Sequence, residues 1–151
     1  MKKPAKSNIY LDLKLEALGP FAAAIDGDVD AQACLVSYGL LPDGVRAALF
    51  AACAGVQMPD PVCVDVSQVA PEDVLTVIEG LDPVALVVAD EFAAQLVGDA
   101  YRTKLPLDAH TRLMGRSCVA FASFEADLES ARMKQRDWAL LKLLKRQAHL
   151  V

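Results

Sequence analysis

Histidine, tryptophan and aromatic residues in general are scarce in this chain. It has 151 residues, with two histidines, one tryptophan and an aromatic share of 6%. His110 falls in a predicted loop and His149 in the C-terminal tail, so neither stands beside a predicted strand end. No Ser/His/Asp or Cys/His catalytic set can be assembled from them. The four cysteines, Cys34, Cys53, Cys63 and Cys118, stand far apart with no CxxC pair and no histidine at ligand spacing. Their apolar surroundings read as reduced, buried thiols packing as small hydrophobes, with no metal site and no cofactor expected. No apolar run approaches the ~18–20 residues that span a bilayer. The basic start, MKKPAKSN, is followed by Asp12, Lys14 and Glu16 rather than an apolar stretch, which argues against a signal peptide. The expectation is a soluble cytoplasmic protein with no membrane association.

Positive charge is also nearly missing from the first two thirds. Residues 8–99 carry 15 acidic and 2 basic side chains, a net of −13, although the whole chain is only −5. The balance is restored at the ends. Lys2, Lys3 and Lys6 open the chain, and from Arg132 onward six basic residues face one acid, a net of +5. A body this acidic repels nucleic acid over most of its surface. Contact with an anionic partner therefore falls to the two ends, or to Arg102, Lys104, Arg112 and Arg116. On the C-terminal segment RMKQRDWALLKLLKR, the residues expected at a partner surface are Arg132, Lys134, Arg136 and Lys142, with Lys2, Lys3 and Lys6 at the other end.

What is abundant is aliphatic: the hydrophobic share is 54%. The chain is organised around residues 81–100, LDPVALVVADEFAAQLVGDA. Its VALVVA run is apolar without alternation, the habit of a strand covered on both faces. Asp90 stands ready to cap a helix, with Glu91 in the positive first turn. Phe92 and Leu96 take the apolar side of that helix, and Gly98 its end. Upstream, IYLDLKLEALG reads as a helix stopped by Gly19-Pro20. Residues 33–36 are a first strand, followed by a loop through Pro42 and a helix that Asp43 caps. Residues 62–66 (VCVDV) are a second strand, and Pro71 opens a helix closed by Gly80. A polar loop spans 99–114, SCVAF (117–121) is a fourth strand, and a long helix covers 125–145. Helices between strands are crossovers. The fold predicted is α/β, a three-layer α/β/α sandwich with a mainly parallel four-stranded sheet. Residues 1–7 form a flexible basic arm, 8–146 a single domain and 147–151 a tail.

In such sheets ligands sit beyond the carboxyl ends of the strands. That places residues 37–44, 67–70 and 122–125 and Asp90 around a crevice, with Ser37, Tyr38, Gly39, Pro42, Asp43, Asp90, Ser123, Phe124 and Glu125 as the candidate binding residues. Gly39–Gly44 follows a strand and precedes a helix as a phosphate loop does, but it lacks a GK[ST] ending. Pro42 removes a donor and Asp43 adds negative charge, so it reads as a rigid connection. Asp26, Asp28 and Asp30 match the start of a calcium loop, but Ala31 and Ser37 replace its required Gly and Glu. They read as a solvated acidic turn.

The succession from residue 81 to 144 resembles the uracil-DNA glycosylase superfamily. The stretches that carry the likeness are LDPVALVVADEFAAQLVG, Leu113-Met114-Gly115-Arg116, SCVAF, and FEADLES followed by KQRDWALLKLL. Residues 33–44 resemble its first strand and catalytic loop. The opening helix, YLDLKLEALG, is similar to the leading helix of the non-enzymatic psi subunit of the bacterial DNA polymerase III clamp loader, which shares that fold. Active members of the superfamily carry a Gly-Glu/Gln-x-Pro-Gly loop after the first strand, where this chain has Ser37–Gly44. They also carry a His-Pro motif after the last strand, where this chain has Phe124-Glu125. Without that donor the departing base has no electrostatic support. The resemblance implies a non-catalytic binding or scaffold module with a protein partner, in DNA replication or repair. The alternative is a divergent glycosylase or other hydrolase using Asp43 or Asp90 to activate water.

Overall fold

The computed structural model describes residues 5–148, with side chains from residue 9 to residue 144. Lys2, Lys3 and residues 149–151 of the expected arm and tail lie outside it, as does the side chain of Lys6. The chain is α/β, and four parallel strands form the middle of the sheet. They are β2 (Ala33–Ser37), β3 (Val62–Asp65), β4 (Ala85–Val88) and β6 (Arg116–Ala120). Every residue of the four is buried, which explains their unbroken apolar runs.

The sheet has six strands rather than four. A two-residue β1 (Ile25–Asp26) pairs antiparallel with β3, and β5 (Ala109–Leu113) pairs antiparallel with β6. The spatial order is β1-β3-β2-β4-β6-β5. Both additions are edges. The sequence AHTRL shows no apolar alternation because β5 is only partly covered, so it reads as loop. Its hairpin turn is Met114-Gly115, both at positive φ (50° and 84°), the two-residue geometry that matches strand twist.

Helices cover both faces. α3 (Val74–Leu81) and α4 (Glu91–Ala100) pack Val77, Ile78, Ala93 and Val97 on Cys34, Val36, Leu86 and Val88. On the other face, α2 (Asp43–Gly55) and α6 (Ala131–Ala148) bring Val45, Leu49, Leu141 and Leu144 to Leu35, Val87, Val119 and Phe121. Alternate residues of one strand thus serve two cores, as period-2 geometry requires. Truncating a fully buried member such as Leu86 to Ala costs about 2–5 kcal/mol.

Local differences from expectation have local causes. α1 (Ala5–Leu18) forms as its composition predicts, but it places Leu18 and half of Leu11 inward and leaves Leu15 outside. Gly80 lies within α3 rather than closing it, and the helix ends at Asp82 in the left-handed conformation. Gly98 likewise lies inside α4. Phe92 is 70% exposed, because α4 turns its alanines to the sheet. The segment expected as one long helix breaks into α5 (Phe124–Asp127) and α6, with Ser123 capping the first and Ser130 accepting from Met133 N–H at the start of the second. Among the described residues no helix is long and apolar enough to cross a membrane.

Candidate functional site

The chain leaves β2, turns to β3 on one side and later to β4 on the other, so the strand order reverses between β2 and β4. That reversal point, beyond the carboxyl ends, is where open α/β sheets bind ligands. Parallel register sets Ser37 beside Asp65 and Val36 beside Val88. Ser37, Tyr38, Gly39, Pro42, Asp90, Ser123 and Glu125 do meet there and line one small crevice. Asp43 and Phe124 do not line it. Asp43 is exposed in the first turn of α2, where Pro42 rather than Asp43 occupies the cap position. Phe124 is buried against Phe121, with ring centroids 5.2 Å apart, on the α2–α6 side of the sheet.

The loop after β2 is pinned from both neighbouring strands. Tyr38 N–H donates to Asp90 Oδ2 at 2.9 Å, and Gly39 N–H donates to Asp65 Oδ1 at 2.7 Å. Ser37 Oγ donates to the Gly39 carbonyl at 2.7 Å, and Gly39 sits at φ +98°, a conformation that favours glycine. Asp65 Oδ1 also accepts from Ser67 N–H at 3.0 Å and Ser67 Oγ at 2.6 Å. Asp90 Oδ1 caps α4 through Ala93 N–H at 2.8 Å, the role its sequence position predicts. Asp65 was invisible as a site residue from sequence. Its one signal is that it ends an apolar strand with a carboxylate, as Asp90 does.

This bonding decides what the crevice can do. Two consecutive N–H groups beside a glycine at positive φ make an anion cradle. Here the anions are already the protein's own carboxylates. A phosphate would have to displace both and bear their repulsion. Asp90 uses both oxygens on main-chain N–H groups, so it serves the loop and the helix rather than an attacking water. The cavity is about 90 Å³, well under the ~300 Å³ at which small-molecule pockets begin. Among the described residues no histidine lines it. His110 is in β5, with Nε2 2.7 Å from Ser117 Oγ, and burial followed by the Arg112 charge lowers its pKa.

Around the crevice mouth the surface is apolar and acidic. Tyr38 is 53% exposed, Phe92 70% and Leu40 89%. The Tyr38 and Phe92 rings lie 5.8 Å apart. Asp90 and exposed Glu125 line the crevice and exposed Asp99 the hollow beside the ring pair, and among the described residues no Lys or Arg lines either.

The basic residues lie on other surfaces. Arg132 is exposed at the start of α6. Lys134 and Trp138 line an apolar groove of about 330 Å³ between α2 and α6, with Ala48, Phe124 and Leu128. Lys142 places Nζ 5.4 Å above the Trp138 ring. A Cβ at Gly55 would stand 2.8 Å from the indole, so the glycine gives Trp138 its seat. Arg136 Nη2 is held by Asp108 (3.1 Å), Asp127 (2.9 Å) and Asp137 (3.0 Å). Arg116, a candidate for anion contact, is buried. It donates to the Pro83 carbonyl (2.9 Å), Glu79 (2.7 Å) and Asp82 (3.0 Å), so it is not open to a partner.

No family model matches the chain. No curated protein matches it in sequence either.

Proposed function

We propose that this chain is a non-catalytic α/β binding module whose partner is a protein, docking on the rim formed by Tyr38, Leu40 and Phe92. The observation that carries the reading is the exposure of these three large apolar side chains at 53%, 89% and 70%, with Tyr38 and Leu40 on a loop held by Asp65 and Asp90 and Phe92 in the first turn of α4 that Asp90 caps. Exposed aromatic residues on a preorganised support are the pattern of interface anchors, and ordering them costs little entropy on binding. The surrounding acids define the complementary partner, a segment with an apolar side chain flanked by Lys or Arg. The same acids disfavour a phosphate backbone. The resemblance to the uracil-DNA glycosylase superfamily, and to the psi subunit within that fold, supplies the process: DNA replication or repair.

The test is a titration of the full chain with a short labelled peptide carrying one Phe between basic residues, followed by fluorescence anisotropy. Saturable binding that weakens at least tenfold in Tyr38→Ala and Phe92→Ala, and is lost when the peptide's basic residues become Glu, is the expected result. Equal binding by both variants would remove the rim from the account. A parallel excision assay on uracil-containing DNA addresses the enzyme reading. Excision by the intact chain that Asp90→Asn abolishes would overturn the non-catalytic assignment.

A further inference from the structure

Beyond the carboxyl end of β6, behind the short α5, three aspartates converge from three parts of the chain. Asp108 precedes β5, Asp127 ends α5, and Asp137 lies in α6. One carboxylate oxygen from each falls within 4.8 Å of the others. Ligand oxygens on opposite sides of a calcium ion stand about 4.8 Å apart, twice a bond of ~2.4 Å, and around magnesium they draw closer. Separations within that limit fit one cation's ligand shell once Arg136 moves aside.

Two further observations point to a cation. First, Asp137 is 1% exposed, and its Oδ2 is buried with no hydrogen-bond donor among the described residues. A buried carboxylate oxygen without a partner is costly, and here only the other oxygen, Oδ1, accepts from Arg136. Second, Arg136 Nη2 occupies the centre of the trio, 2.9–3.1 Å from one oxygen of each. The guanidinium sits in the seat of an ion, one cation among three carboxyl groups. Its side chain is 36% exposed, so it has a path out to water.

We infer that Asp108, Asp127 and Asp137 form a binding site for a hard divalent cation, Ca2+ or Mg2+, which Arg136 holds closed until the ion displaces it. An all-oxygen, carboxylate-rich donor set suits these ions rather than zinc or copper, which favour nitrogen and sulfur. The ion would bring two positive charges to three carboxyl groups that now share one guanidinium. It would also tie α6 to the turn that carries Ser123 and Glu125 into the crevice.

The experiment uses the full chain after chelator treatment, with Mn2+ binding followed by electron paramagnetic resonance and competition by Ca2+ and Mg2+. One saturable site is expected, with affinity at least tenfold weaker in Asp108→Asn and Asp127→Asn. Arg136→Gln, which removes the internal competitor, is expected to bind at least tenfold more tightly. Asp108 is on the rim of the cluster, with its side chain 30% exposed. Its variant therefore decides the matter if Asp127→Asn fails to fold by circular dichroism. No saturable site in the intact chain overturns the assignment, as does binding that Asp108→Asn leaves unchanged. Binding that appears only in Arg136→Gln would make the guanidinium the permanent occupant and overturn it equally.

Discussion

Tyr38 and Asp90, 52 residues apart, are joined by a 2.9 Å hydrogen bond from the Tyr38 N–H to Asp90 Oδ2, while Asp90 Oδ1 caps α4. One carboxylate thus fixes the loop after β2 to the start of the helix after β4. It also sets Tyr38 beside Phe92, two residues beyond the cap. The apolar rim and its support are one assembly.

Replacing Asp90 should therefore cost more than a helix cap. Asp90→Ala loses the cap, ~1 kcal/mol, and the charged acceptor of Tyr38 N–H, a further ~1–2 kcal/mol. Asp90→Asn keeps one acceptor oxygen and should lie between. Urea denaturation at unchanged slope measures both, and Asp90→Ala should also weaken peptide binding at the rim without altering any exposed side chain. A loss no larger than an ordinary cap would show that the tether contributes nothing.

Arg116 joins β6 to the end of α3 and the turn before β4, and none of its partners is replaced when it goes. Arg116→Met leaves the Pro83 carbonyl without its donor and exposes Glu79 to Asp82. We expect a cost of about 2–3 kcal/mol in chemical denaturation. Lysine lacks the planar fork and should restore only part of it. Full recovery by Arg116→Lys would show that charge alone matters. In the native protein Glu79 is held below the usual carboxylate range, first by its hydrogen bond from Arg116. An Arg116→Met variant should release that shift in an NMR titration.

His110 gives a pH dependence of definite sign. Its pKa is depressed in the folded state, by burial first and by Arg112 second. The unfolded chain, with an ordinary histidine near 6.5, then binds more protons than the native one as acid is added. Stability from this residue is present above pH ~6.5 and declines as pH falls below it, until the folded pKa is passed. The Tm of the protein should fall between pH 7 and 5.5 more steeply than that of His110→Gln. Parallel Tm curves would refute it.

All four thiols are raised by burial. Cys53 is pushed up to about 11 and Cys118 to about 12, with Cys34 and Cys63 also above the usual value. Since the thiolate is the reactive species, a disulfide-exchange reagent at pH 8 should label the native protein slowly and the unfolded protein at once. Cys63 is expected first, because it is the least buried of the four and Arg46 lies 3.5 Å from its sulfur. A rapid thiol other than Cys63 would contradict the placement.

The middle of the sheet was readable because burial on both faces writes itself into composition. ALVV, ACLVS, VCVD and RSCVA carry almost no charge for this reason, and each predicted strand corresponds to one of them. The edges were not readable, because a strand with one wet face and few residues has no apolar excess to display, as AHTRL shows. Asp90 was legible as a cap, since capping needs only the helix that follows. Its bond to Tyr38 depends on parallel register between β2 and β4, which no local pattern encodes. The crevice was foreseen from the rule about carboxyl ends, but its small volume and its occupied N–H groups were not.

By itself the sequence determined the order of buried strands and amphipathic helices, the acidity of residues 8–99 and the basic character of the last helix. These follow from local propensity, periodicity and charge, which are properties of neighbours along the chain. Only the tertiary structure decided which charges are free. It buried Arg116 among Glu79, Asp82 and the Pro83 carbonyl, and gathered Asp108, Asp127 and Asp137 around Arg136. It also turned Phe92 outward to meet Tyr38. Each of these depends on the distance between residues far apart in sequence, and that distance is set by how the layers pack.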